Sequence, residues 1–182
     1  MKRWLALLFV WTAAAFAAED VTVDTVQQGS AVEVRASALV RAMHATVWNT
    51  VTDYDHLAGF VPGMRMSRVV ARRDGAQIVE QRGETRFLVF SYPVDVTLLA
   101  RARPPDAVDV HLLEGTLKQL DGTYRLEYAG PGRIVLRWTG RIEPEALPPL
   151  FGEWAMRATI RHQFEALVRE IERRAALDRP AL

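Results

Sequence analysis

The chain has 182 residues, 49% hydrophobic and 25% charged, with 23 basic against 22 acidic side chains and no cysteine. That length bounds it to one domain with short appendages, and the composition excludes a disordered chain and a polytopic membrane protein. Balanced charge lacks the basic excess of a nucleic-acid binder, so no nucleic-acid partner is expected, and the missing thiols exclude disulfides, thiolate metal sites and cysteine nucleophiles.

The opening stretch MKRWLALLFVWTAAAFAAED has two cations, an apolar run from Trp4, then small residues ending Ala15-Phe16-Ala17. This is the order of a secretory signal peptide, with cleavage expected after Ala17 or Ala18. The competing reading is a membrane anchor, but the apolar run is short for a span of about 20 residues and ends in alanines. The expectation is therefore a signal peptide over 1–18 and an exported domain over 19–182, periplasmic or secreted. Losing Lys2 and Arg3 would take the formal charge from +1 to about −1, still without a basic excess.

Period-two alternation follows at once. Val21 and Val23 precede a turn signal at Gln28-Gly29, and Val32, Val34, Ala36, Ala38 and Val40 then share one parity, predicting a hairpin and a long strand over 31–40. Met43, Val47, Trp48 and Val51 switch to helical spacing, predicting a helix over 43–53. A second short helical turn is predicted near 55–60, closed by Val61-Pro62-Gly63.

From Met64 to Pro144 the chain reads as strands separated by Asp74-Gly75, Gly83-Glu84, Pro104-Pro105-Asp106, Asp121-Gly122 and Gly130-Pro131-Gly132. Short connections imply an antiparallel meander with one apolar face. Beyond Pro148-Pro149, Phe151, Trp154, Ala158, Phe164, Leu167, Val168 and Ile171 make the apolar stripe of a helix roughly 40 Å long. A sheet with one apolar face needs a cover, and this helix is the large one available. Curvature around a single helix can leave a cleft, where a ligand would sit.

The motifs VWNTVTDYDHLAGFVPGM (47–64), VEQRG (79–83) and PPLFGEWAMR (148–157), in that element order, resemble the START-like helix-grip superfamily. Within it, the chain resembles the polyketide cyclase/dehydrase and coenzyme-Q-binding branch over roughly residues 31 to 175. The resemblance implies an α+β helix-grip fold: a curved antiparallel sheet of about six to eight strands around a long C-terminal helix, with two short helices after the first long strand. It also implies binding or carriage of a hydrophobic small molecule, a lipid, isoprenoid quinone or polyketide, with transient membrane contact for exchange. The alternatives are an aromatase/cyclase-like enzyme in the same cavity, or an interaction module whose cavity has collapsed.

Candidate walls of the cleft are Val96, Leu98, Val110, Leu112, Trp138, Phe151, Trp154 and Ala158, with Phe60 and Pro62 at the rim. On the strand over 77–82, Glu80 and Arg82 share one face with Ile78, and Val79 and Gln81 the other. Glu80 or Arg82 would be the polar handle for a ligand if inward, and surface residues if outward, with Gln81 near the sheet edge. Asp53 or Asp55 is read as the cap of the second short helix, with Trp48, Tyr54 and Phe60 packed around that corner. His44, His56, His111 and His162 have no close ligand spacing, and no nucleophile elbow occurs. Neither a metal, a cofactor nor a catalytic residue is expected.

Overall fold

The computed structural model describes residues 21–87, 90–145 and 153–178. The signal-peptide expectation over 1–18 and the proposed wall residue Phe151 lie outside them. β1 (Thr22–Gln28) and β2 (Ala31–Val40) pair as a hairpin. α1 (His44–Val51) and a 3-10 helix (Tyr54–Gly59) follow. Next come β3 (Met64–Arg73), β4 (Ala76–Phe87), β5 (Phe90–Arg103), β6 (Ala107–Gly115), β7 (Leu117–Tyr128) and β8 (Ile134–Pro144). α2 (Glu153–Leu177) ends the fold.

All eight strands form one antiparallel sheet in the order β1-β2-β8-β7-β6-β5-β4-β3. β3 to β8 run as a meander, while β2 and β3 lie in opposite halves of the sheet. The α1 and 3-10 segment therefore crosses between them and closes one end of the sheet. Register shifts at Thr97/Leu98, Leu117/Gln119 and Val69/Ala71 mark bulges, the local kinks that curve a sheet. The arrangement is the helix-grip fold expected from the sequence.

Two predicted turns are instead strand interior. β4 runs straight through Gly83-Glu84, and β7 through Asp121-Gly122. Glycine here answers to close approach, not to reversal. Gly122 pairs in register with Gly140, and a Cβ at either would meet the Trp138 indole, at 2.8 Å from Nε1 and 2.7 Å from Cζ2 respectively. Bare backbone at both positions lets that ring lie along the sheet.

The core is continuous from β1 and β2 across β8 to the second half of α2, with Val32, Val34, Val40, Val47, Leu136, Val168 and Ile171 almost wholly inaccessible. α2 packs on β1, β2 and α1. Its first half leans on the sheet edge through charge. Arg157 donates to Thr25 Oγ1 at 2.9 Å and to Glu153 Oε1 at 2.7 Å, and Arg161 donates to the Val21 carbonyl at 2.6 Å.

Candidate functional site: a divided cleft under the C-terminal helix

Between the first half of α2 and the middle of the sheet lie two adjoining cavities. The inner one, about 210 Å³, reaches Tyr54, Val79, Leu98, Val110, Trp138 and Phe164. The outer one, about 340 Å³, runs past Arg82, Tyr92, Val96, Leu117, Met156 and Thr159. Met64, Gln81, Leu120, Ile142, Ile160 and Gln163 border both and form the waist between them. The outer cavity alone has the volume of small-molecule sites, roughly 300–1,000 Å³.

The roof follows from helical phase. At about 100° per residue, Met156, Ile160, Gln163 and Leu167 fall on one line down α2, and that line faces the cavities. Trp154 and Ala158 fall roughly opposite it. Both are exposed, Trp154 at 62%, so neither is a wall of the cleft. This corrects the sequence expectation, which joined Trp154 and Ala158 to the buried stripe below Phe164.

The remaining proposed residues divide. Leu98, Val110 and Trp138 line the inner cavity and Val96 the outer. Leu112 packs half-buried against the core without lining either cavity. Phe60 is half-buried against the core, with the Arg174 guanidinium carbon 5.7 Å from its ring centroid. The Pro62 carbonyl accepts a 3.3 Å hydrogen bond from Gln163 Nε2 and so ties the corner to the waist.

Glu80 is not a handle inside the cleft. Its carboxylate accepts from Arg68 at 2.6 and 2.9 Å and from Arg82 at 2.6 Å on the outer surface of β4. Hydrogen bonds from Arg68, then from Arg82, hold it below the usual glutamate range against the opposing effect of burial. Arg82 borders the outer cavity with its side chain 60% exposed. The inward polar group of this strand is Gln81, whose amide donates to the buried Ser67 hydroxyl at 3.3 Å. Strand parity had already separated it from Glu80.

Two further polar groups belong to the site, Tyr54, read from the sequence as packing of the corner, and Tyr124, not singled out there. Tyr54, on the 3-10 helix, and Tyr124, on β7, both line the inner cavity. The Tyr124 ring lies 6.3 Å from that of Trp138, tilted by 46°. Burial pushes the Tyr124 phenol up to about 12. Burial, then the neighbouring Tyr124 phenol, takes Tyr54 to about 12 as well. Both therefore stay protonated near neutral pH and can donate. Tyr124 lies on the inward parity of β7 with Gly122 and the buried Leu126, so alternation could have found it.

The aspartates of the corner do not cap. Neither Asp53 nor Asp55 makes a side-chain bond to the 3-10 helix's own amides. Asp53 instead accepts from His56 Nδ1 at 2.6 Å and Arg174 Nη1 at 2.8 Å, fastening the corner to α2. Burial raises its pKa, but these two bonds outweigh burial and leave it lowered. Asp55 accepts the Val69 amide at 2.7 Å, tying the corner to β3. Glu170, bonded by Arg173 and Arg174, falls to about 2; the Arg173 bond is the larger cause, and burial opposes it. Among the described residues, no three histidine or carboxylate side chains gather as metal ligands.

A family model described as polyketide cyclase / dehydrase and lipid transport matches residues 40–174. Among solved structures, the Zhui aromatase/cyclase from Streptomyces sp. R1128 superposes with a TM-score of 0.65 at 16% identity, over 80% of this chain and 94% of that one. A START superfamily protein from Mycobacterium smegmatis gives 0.63 at 15% identity, over 80% and 97%. A STAR-related lipid transfer protein fragment from Xanthomonas axonopodis gives 0.61 at 11% identity, over 83% and 98%. Identities this low speak to the fold alone. No curated protein matches the chain.

Proposed function

The chain belongs to the polyketide cyclase/dehydrase and lipid transport family, and from that premise we propose that it binds an apolar small molecule in the divided cleft. The observation that carries this reading is the pair of adjoining, mainly apolar cavities between α2 and β4–β8, too large to be packing defects. Burial of apolar ligand surface supplies roughly 25 cal/mol per Å², enough to hold a lipid-, quinone- or polyketide-like molecule by sequestration.

The composition of the inner wall favours binding over acid–base catalysis. Among its described lining residues, the phenols of Tyr54 and Tyr124 are the ionisable groups, with no carboxylate, histidine or cation beside them. Arg82 and Glu84 stand at the outer cavity, where a ligand would enter or leave. In this reading the protein works outside the cytoplasm, as the order of residues 1–18 supports. It meets a membrane transiently to exchange its ligand.

The test is to purify the protein from its own host and analyse an organic extract by mass spectrometry. A co-purifying apolar molecule near one per chain is expected. No such molecule, together with no saturable uptake of any apolar probe, would overturn the reading.

A further inference from the structure

The inner cavity is lined by two phenols whose hydroxyls bond no described protein group. Among the described residues, neither the Tyr54 nor the Tyr124 hydroxyl makes a hydrogen bond to protein, while every fully buried side-chain nitrogen or oxygen has a partner. The two hydroxyls therefore keep their accessible surface toward the cavity space. They come from different elements, the 3-10 helix and β7, yet line the same cavity. A hydroxyl with no protein acceptor is free to donate to an arriving one without giving up a bond within the fold.

We propose that the Tyr54 and Tyr124 hydroxyls recognise a neutral hydrogen-bond acceptor, a ketone- or quinone-type carbonyl oxygen, at the leading end of the apolar ligand. The ligand then enters carbonyl first, its apolar remainder passing the Gln81–Gln163 waist into the outer cavity. A carbonyl oxygen has two lone pairs and can accept from both phenols. A carboxylate head is disfavoured, because no cation is among the described residues that line the inner cavity to compensate its burial. This inference rests on the reading that the cleft binds an apolar ligand, and it adds the chemistry of the ligand's buried end.

Equilibrium dialysis with 1,4-naphthoquinone and naphthalene tests it, since the two flat molecules differ in the carbonyl groups. The chain has no cysteine to add to the quinone. Wild type is expected to bind the quinone about tenfold more tightly than the hydrocarbon. Tyr54→Phe and Tyr124→Phe should each lose most of that preference, with circular dichroism and melting temperature reporting that the variant is folded. Equal binding of both probes by wild type would overturn the proposal and leave the apolar-site reading standing. So would a preference that survives both substitutions, or variants that lose both probes alike. If wild type takes up neither probe, this proposal falls, and the apolar-site reading is decided separately by the organic extract and by other apolar probes.

Discussion

From Val168 to Ala175, α2 lays Val168, Ile171 and Ala175 into the core with almost no accessible surface, whereas from Met156 to Leu167 the same helix roofs two cavities. The difference lies in what opposes each half. The second half meets α1, β1 and β2, with the 2.8 Å Thr46–Asp178 hydrogen bond beyond its end. The first half is held at its side, by Arg157 and Arg161 on β1, and stands off the middle strands. One element therefore serves as structural anchor along part of its length and as the ceiling of a binding site along the rest. Stability and function are separable along a single helix.

That separation is testable by substitution. The largest effect belongs to Ile171→Ala, which opens a hole where nothing can collapse and should cost about 2–5 kcal/mol in denaturant unfolding. Ile160→Ala, facing space that is already empty, should cost less than half as much while loosening ligand retention. Equal losses at the two sites would erase the contrast.

Gly140→Ala comes next. Its methyl would lie 2.5 Å from the Asp121 carbonyl oxygen and 2.7 Å from the Trp138 ring. Overpacking of this kind costs about 1–3 kcal/mol. The displaced indole should also narrow the inner cavity, so melting temperature and probe affinity should fall together.

The anchor half carries its own acid sensitivity. Glu170 sits at about 2 in the folded protein against an ordinary 4.5, so its contribution is complete above 4.5 and is lost as pH falls toward 2. Asp53 is shifted in the same direction. Glu170→Gln should cost on the order of 1 kcal/mol at neutral pH. The gap from wild type should close as the pH approaches 2, read from urea midpoints across the acid range. A gap of constant size would mean that packing, not charge, is what Glu170 supplies.

Trp154→Ala should do least. Its side chain is 62% exposed on the side of α2 away from the cavities, so stability should change by no more than about 0.5 kcal/mol and probe affinity not at all. A loss of binding there would place Trp154 in the site after all.

The sheet was legible because period two survives wherever one face is dry: Val32 to Val40 and Val94 to Ala100 alternate as read. Gly83 and Gly122 were misread because glycine marks both reversal and close approach, and the backbone or ring that needs the clearance comes from distant sequence. The roof was misphased for a related reason. Trp154 and Ala158 were joined to the stripe by spacing alone, while Arg157 and Arg161 mark the face that meets β1. Of the cleft itself, Leu98, Val110, Trp138 and Val96 follow from inward parity. Alternation places Tyr124 inward but is silent on its hydroxyl, and Tyr54, between Asp53 and Asp55, reads as corner packing until its hydroxyl is seen to lack a protein partner.

The sheet order has a consequence for how the molecule comes to be. Each seam from β3 to β8 joins strands that are neighbours in the chain, so the cavity floor can zip up from local hairpins. The seam between β2 and β8 joins residues 32–40 to residues 134–142 and must wait for the loop between them to close. The binding surface is thus built on pairings that are local in the chain, and the hydrophobic anchor on the seam of long sequence separation.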